Sequence, residues 1–297
     1  MEEVIEAAFQ KVWPNGDSRM RDYIRPFVSE FVDSNCADSH YLVELDSGDI
    51  NKVAARVWEA MLYARFKAQQ WSVTSAAEGP DFFLETQNGS VQVEAVIATP
   101  GDADHSGLSR EWQERSTGKA YAVPHEQILT RWTNAIANKR TKFLNDVKRD
   151  TANEACPFVI AVNSCLLGSE QHDISGAPMA AAAVLPFGPQ TLTINVETGE
   201  TIDSGLQWRE SIKKSNNAEV RMDSFLDDQY SCVSAVLGCS SLFVDEADRE
   251  RFAGQPPYIV IHNPKAKHPL PLPWLSASIE YTVRASDAGE VELKRIQ

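Results

Sequence analysis

The amino-acid sequence predicts an α/β fold in which a mixed β-sheet is flanked by helices. Apolar residues recur at helical spacing in residues 50–70 and again in residues 127–148. Between these segments, Asn88-Gly89 separates two stretches in which apolar and polar residues alternate, a pattern typical of a β-hairpin. A continuous apolar run at residues 156–163 predicts a strand that is buried on both faces.

Length and composition are ordinary for a globular chain. Of the 297 residues, 43% are hydrophobic and 24% are charged, and the mean hydropathy is −0.32. We expect a single domain, residues 1–297, with its core at about residues 50–163 and a strand-rich C-terminal extension at residues 164–297. The acidic first residues lack a signal-peptide pattern, and the longest apolar tract, residues 180–185, is too short to cross a membrane. These observations predict a cytoplasmic protein without a membrane segment.

Cysteine usage and charge restrict the function further. The five cysteines are an odd number and form no CxxC pair, so neither a disulfide framework nor a zinc site is indicated. With 28 Lys and Arg residues against 42 Asp and Glu residues, the net charge of −14 disfavours tight non-specific binding to nucleic acid. Residues 131–149 are the basic exception, because six Lys and Arg residues stand there against one Asp.

The predicted hairpin carries acidic side chains on one face. If Asn88 and Gly89 form the turn, Asp81 pairs with Val96. Alternation then places an apolar set on one face and Asp81, Gln92 and Glu94 on the other. Asp81 and Glu94 become diagonal neighbours with backbones about 7–8 Å apart, and their carboxylates can close that gap on a divalent cation. A solvated acidic face on an edge hairpin explains the pattern equally well.

The second predicted helix carries a lysine within its apolar stripe. At about 100° per residue, Lys139 falls among Ile128, Trp132 and Ile136, whereas Lys142 lies outside that group. A buried ammonium is costly without a partner. We therefore expect the helix to pack over the acidic face of the hairpin, with the Lys139 ammonium near its carboxylates.

Pro80-Asp81, followed across the hairpin by Glu94, resembles the PD-(D/E)XK superfamily of Mg²⁺-dependent nucleases. This resemblance implies a restriction-endonuclease-like mixed sheet flanked by helices. The superfamily has a lysine two residues after the acid, where this chain has Val96. Either Glu94 stands in the lysine's place, at the end of residues 92–94, or Glu94 is the acid and the lysine comes from elsewhere. We prefer the second interpretation.

The helix sequence QILTRWTNAIANKRTKF and the strand PFVIAVNS that follows it resemble those of uncharacterised bacterial proteins with this pattern, in which the lysine has moved to a helix. The resemblance implies that Asp81, Glu94 and Lys139 are catalytic. It further implies that Arg131 binds the substrate. We also expect Lys142, in the basic segment 131–149, to bind the substrate.

The cofactor implied by the resemblance is Mg²⁺ or Mn²⁺. Asp81 and Glu94 would hold the ion, and Gln92 would add a carbonyl oxygen. In the superfamily, the helix before the Asp strand often supplies a further acid, for which Glu59 is the matching position. An ordinary surface glutamate is an equally good interpretation of Glu59.

The expected function is metal-dependent hydrolysis of phosphodiester bonds in DNA or RNA. The alternative is a catalytically inactive module that keeps the nuclease fold and binds nucleic acid or a protein partner. Val96 and the acidic net charge favour that alternative. Nucleic acid is the expected partner, and a homodimer is a possible assembly.

The C-terminal extension has weaker signals. His262 and His268 could bind a ligand, but no third ligand matches them. A helix is predicted at residues 245–252. Strands are predicted at residues 180–185, 192–196, 233–237, 258–262, 279–283 and 291–296.

Overall fold

The computed structural model describes most of the chain. The described residues are 2–13, 18–103, 107–115, 119–168, 171–214, 216–244, 250, 254, 257–285 and 291–296. Their helices are α1 (Glu2–Val12), α2 (Ser18–Asp33), α3 (Tyr41–Leu45), α4 (Ile50–Ala68), α5 (Arg110–Gln113), α6 (His125–Lys148) and α7 (Met179–Ala182). Their strands are β1 (Ser72–Thr74), β2 (Phe82–Thr86), β3 (Gly89–Ile97), β4 (Phe158–Asn163), β5 (Phe187–Ile194), β6 (Thr201–Trp208), β7 (Ser211–Lys213), β8 (Glu219–Arg221), β9 (Ala235–Cys239), β10 (Ile259–His262), β11 (Ile279–Ala285) and β12 (Val291–Arg295).

A mixed sheet of eight strands organises the molecule, in the order β1-β2-β3-β4-β9-β10-β11-β12. Strands β3, β4 and β9 run parallel to one another, β10 pairs antiparallel with β9, and β10 and β11 are parallel. The terminal pairs at both edges are antiparallel. This architecture confirms the predicted α/β class with a mixed sheet between helices.

The C-terminal part of the chain completes this sheet, because β9 to β12 supply its second half. Strands β5 and β6 form a separate two-stranded sheet, as do β7 and β8. The prediction of a strand at residues 180–185 is wrong, because residues 180–182 belong to the buried helix α7. Alanine has the highest helix propensity, and Ala180 fits closely against Gly238 of β9. The helix predicted at residues 245–252 lies outside the described residues except for Glu250.

Helices α4 and α6 cover opposite faces of the sheet near β3 and β4. Helix α4 begins where the Asp49 side chain accepts the Asn51 N–H at 2.9 Å. On the sheet, the Trp58 indole donates to the Ala161 carbonyl at 3.0 Å. On the other face, Phe143 of α6 stacks on Phe158 with ring centroids 3.9 Å apart. Burial of each such side chain contributes about 1.5–3 kcal/mol or more to stability.

The β2–β3 hairpin forms, but its turn differs from the prediction. Glu85 pairs with Ser90, so the two-residue loop is Gln87-Asn88. Only Gly89 near the turn has a positive φ, at 112°, whereas the predicted turn needs positive φ at two residues. The Thr86 hydroxyl closes the loop instead, accepting the Asn88 N–H and donating to the Gly89 carbonyl. The register moves by two residues, so each side chain keeps its predicted face.

Two further properties concern membrane-spanning helices and the cysteines. Within the described ranges, no helix combines the length and apolar character needed to cross a membrane. The five cysteines are all free thiols, and Cys36 and Cys239 among them are buried.

Candidate functional site

Asp81 lies immediately before β2, in a segment whose backbone conformation requires a glycine at position 79. Gly79 has φ +103°, and a Cβ at this position would lie 2.2 Å from the Thr151 carbonyl oxygen, so glycine is required. The Oδ2 atom of Asp81 accepts the N–H of Ala95 at 2.7 Å. Extending the observed pairing by one residue sets Asp81 opposite Glu94, closer than the predicted diagonal.

Glu94 is buried beneath α6, with 1% of its surface exposed. Lys139 Nζ donates to Glu94 Oε1 at 2.6 Å, and Lys142 Nζ donates to Oε2 at 2.8 Å. Lys139 Nζ also lies 4.0 Å from Asp81 Oδ2. The hairpin and α6 therefore bring Asp81, Glu94 and Lys139 together. The acidic face is covered, which contradicts the interpretation of a solvated edge hairpin.

Lys142 takes a larger part in this cluster than its place on the helical wheel suggested. It follows Lys139 by three residues, so both side chains leave the same face of α6. Besides Glu94, its ammonium donates to the Gly79 carbonyl at 2.6 Å and lies 3.2 Å from Asp146 Oδ2. These protein acceptors occupy the donors of Lys142, which was expected to bind substrate.

The ionisation of the cluster reflects burial opposed by close charges. Burial, followed by the charge of Asp81, raises the pKa of Glu94 above its usual range, although both lysines act in the opposite direction. Burial lowers the pKa of Lys139, but Asp81 and Glu94 outweigh this effect and raise it overall. Lys139 therefore carries its charge at neutral pH.

Glu59 of α4 belongs to the same electrostatic cluster. Its side chain is 15% exposed and accepts from Arg56 Nη1 at 2.8 Å. Burial, then the charge of Asp81, raises the pKa of Glu59 to about 8, while Arg56 and Lys139 lower it. Glu59 is thus mostly buried rather than an ordinary surface residue, and it interacts with Asp81.

A cavity of about 300 Å³ opens beside this cluster, between α4 and the C-terminal half of α6. Its charged lining residues are Asp38, Arg56, Glu59, Glu78, Asp81, Lys142, Asp146 and Arg149. Asp146 is buried and contacts both Lys142 and Arg149. Sequence reasoning did not assign Arg56, Asp146 or Arg149 to the site. Each of these residues stands three or four positions from an oppositely charged residue, and this helical spacing could have predicted their ion pairs.

Two of the predicted site residues are directed elsewhere. Gln92 uses both ends of its amide on Asn153, accepting the backbone N–H at 2.8 Å and donating to the carbonyl at 2.7 Å. It therefore anchors the loop before β4. Arg131 donates from Nε to the Thr99 carbonyl at 2.6 Å and holds the segment that follows β3. The structure does not bring Gln92 or Arg131 to the cluster.

The two histidines considered as ligands have other surroundings. His262 Nε2 lies 2.8 Å from Glu280 Oε2, inside the second half of the sheet. The backbone carbonyl of His268 accepts from the Ser234 hydroxyl at 2.5 Å. His262 thus forms a buried pair with Glu280.

The carboxylates of Asp81 and Glu94 fit a hard divalent ion, which commonly takes one or two protein carboxylates and completes its shell with water or phosphate. Their contacts with one ammonium indicate that the pair accommodates positive charge. In the described ranges, no group of three or more His, Cys, Asp or Glu side chains is arranged to hold a metal.

Comparisons with known proteins add no relative. No family model, no curated protein and no solved structure matches the chain. The candidate functional site is the cluster formed by Glu59, Asp81, Glu94, Lys139 and Lys142.

Proposed function

We propose that the chain is a Mg²⁺- or Mn²⁺-dependent nuclease that hydrolyses phosphodiester bonds in DNA or RNA. One observation carries this proposal. Two carboxylates from a hairpin, Asp81 and Glu94, meet the ammonium of Lys139 from the following helix. This is the set implied by the resemblance to PD-(D/E)XK nucleases whose lysine lies on a helix, within a restriction-endonuclease-like sheet.

Each side chain has a role that follows from its surroundings. Asp81 and Glu94 would hold the divalent ion, which supplies Lewis-acid stabilisation of phosphate charge and activation of water. Lys139 is protonated, so it donates a hydrogen bond and positive charge to a phosphate oxygen instead of acting as a base. Lys142 holds the second oxygen of Glu94 and orients this carboxylate.

The cavity beside the cluster has a lining of mixed charge. Arg56, Lys142 and Arg149 contribute positive charge to its lining, and the Arg149 side chain is 59% exposed. Five acids, Asp38, Glu59, Glu78, Asp81 and Asp146, also line it, so a bound divalent ion would have to supply the further positive charge that a phosphate needs. We infer that the substrate backbone approaches past the exposed Arg149, along this side of α6.

The second candidate function is a module that keeps this fold without cleaving. Val96, in the position of the superfamily's usual lysine, is partly buried and packs against the core beneath α6. In addition, two ammonium groups already neutralise Glu94. A protein whose catalytic acid is permanently paired would bind nucleic acid or a protein partner without hydrolysis.

A digest distinguishes the two functions. Single- and double-stranded DNA and RNA are incubated with the protein in Mg²⁺ or Mn²⁺, with EDTA as the blank. Asp81→Asn and Lys139→Met should abolish cleavage. The matched controls, Glu85→Gln at the exposed turn end of the same hairpin and Lys148→Met at the exposed end of α6, should retain it.

The possible results separate mechanism from function. Cleavage by Lys139→Met at the parent's rate would eliminate the helix-borne lysine from the mechanism. Absence of cleavage by the parent on every substrate would select the non-catalytic module.

We also propose that the protein acts in the cytoplasm. Five free thiols, including buried Cys36 and Cys239, support a reducing compartment. Mass spectrometry of thiols alkylated in intact cells tests this proposal, because oxidised cysteines would contradict it.

A further inference from the structure

The β5–β6 hairpin extends from the rest of the protein as a separate two-stranded sheet. All of β6 is exposed, and so is β5 from Gln190 to its end. In the part of the chain that the structure describes, neither strand pairs with a third strand. An isolated hairpin is marginally stable in water, and hairpins usually need a further strand or a packed face. A covering partner would supply that missing contact.

One face of this hairpin is apolar. Leu192 pairs with Ser204 and Gln190 pairs with Leu206, and paired residues share a face. Alternation adds Ile194 on β5 and Trp208 on β6 to the same face as Leu192 and Leu206. Nearer the tip, Ile202 lies at a register irregularity of β6 and Val196 lies in the connecting turn. These six large side chains are between 43% and 97% exposed.

The charges of the hairpin limit what can cover this apolar face. Residues 187–208 contain no Lys or Arg, which disfavours both nucleic acid and an anionic membrane surface. Asp203 pairs with Thr193 on the opposite face, and Glu197 and Glu200 lie in the connecting turn. The apolar face itself is uncharged. Two chains of net charge −14 can therefore meet there with little direct repulsion.

We propose that the apolar face of the β5–β6 hairpin is the interface of a homodimer, in which two hairpins pack face to face about a two-fold axis. A two-fold interface needs one self-complementary patch, and this uncharged apolar surface meets that requirement. Specific interfaces bury about 1,200–2,000 Å² in total, or about 600–1,000 Å² per copy, and six large side chains that are 43–97% exposed supply area of this order.

The base of the hairpin offers a second element of complementarity. A cavity of about 620 Å³ lies there, and its lining includes Ile174, Pro189 and Trp208. The same lining also contains Glu126, Arg209 and Glu210, so it is only partly apolar. In an antiparallel arrangement, the tip of each hairpin, with Val196 97% exposed, lies toward this base of the other hairpin.

The test measures molecular mass by sedimentation equilibrium across a wide range of concentrations. The parent should approach twice the chain mass of 32.9 kDa. Leu192→Asp should raise the dimer dissociation constant by about tenfold or more, since it places a charge at the centre of the patch. Thr191→Asp is the matched control because it places the same charge one residue away, on the opposite face. It should dimerise like the parent.

Circular dichroism verifies that both variants are folded, which their exposed positions favour. A parent that stays monomeric at the highest concentration overturns the proposal. So does an equal response of Leu192→Asp and Thr191→Asp. These results are independent of the proposed nuclease function, because the variants leave Asp81, Glu94 and Lys139 unchanged.

Discussion

Two buried glutamates in the same sheet, Glu280 and Glu94, accept hydrogen bonds from different kinds of donor. Glu280 on β11 accepts from the backbone N–H groups of Trp274 at 3.0 Å and Leu275 at 2.6 Å, and from His262 Nε2 at 2.8 Å when that nitrogen is protonated. Glu94 on β3 is bound instead by two lysine ammonium groups from another element. Both side chains are almost completely inaccessible to solvent.

The difference appears in their pKa values. Burial raises the pKa of Glu280, but hydrogen bonds from His262, Trp274 and Leu275 overcome this effect and lower it overall. The pKa of Glu94 is raised, because burial and Asp81 outweigh its lysines. Glu280 is bound mainly by backbone groups and one histidine, whereas Glu94 is bound by two lysine side chains that are 22% and 38% exposed. The contacts of Glu280 are those of a structural residue, and those of Glu94 are compatible with the ion-binding role proposed above.

The largest expected effect comes from Glu280. Glu280→Ala should lower the free energy of unfolding by about 3–5 kcal/mol, because it leaves buried donors without their acceptor. Glu94→Gln should lower it by about 1 kcal/mol or less, since its partly exposed lysines can turn toward water. Urea denaturation of both variants measures the contrast. Equal losses would mean that Glu94 is as structural as Glu280.

A divalent cation should stabilise the protein if it binds at the proposed site. Mg²⁺ bound only by the native state stabilises it by RT ln(1 + [L]/Kd), about 2.7 kcal/mol at a hundredfold excess over Kd. The melting temperature should therefore rise with Mg²⁺, and the rise should disappear in Asp81→Asn. Glu85→Gln is the control that removes an exposed carboxylate from the same hairpin. A rise that persists in Asp81→Asn would place the ion elsewhere.

Acidification should weaken the contribution of Glu280. Its pKa is lower in the folded state than its ordinary value of 4.5, so the folded protein binds fewer protons there than the unfolded chain. The resulting stability is present above the ordinary carboxyl pKa and is lost as the pH falls through the folded pKa. The stability difference between the parent and Glu280→Gln should shrink across that window in urea titrations. A constant difference would exclude this linkage.

The smallest effects should come from the individual lysines of Glu94. Lys139→Met and Lys142→Met should each cost about 1 kcal/mol or less, because one ammonium remains on the carboxylate. The double variant should cost more than the sum, since Glu94 then loses both. A double-mutant cycle by urea denaturation measures this coupling. Additive losses would indicate that the lysines act independently.

Much of the local structure was predictable. The segments that became α4, α6 and β4, and the two faces of the β2–β3 hairpin, follow from periodicity, a property of neighbouring residues. The position of Lys139 within an apolar stripe pointed to an acidic partner for the same reason. The sequence by itself thus determined that the segments of α4 and α6 are helical, which face of the hairpin is apolar and that Lys139 needed a carboxylate.

Other features depended on contacts between distant segments. Only the tertiary structure decided that β9 to β12 complete the sheet, that Lys142 also binds Glu94, and that Gln92 binds Asn153. The register of the β2–β3 hairpin was also not predictable, because hydrogen bonds of the Thr86 hydroxyl stabilise a turn at Gln87-Asn88 instead of at Asn88-Gly89. A polar side chain can reach several acceptors of similar strength. The packing of elements far apart in sequence determines which acceptor is near and shielded from water.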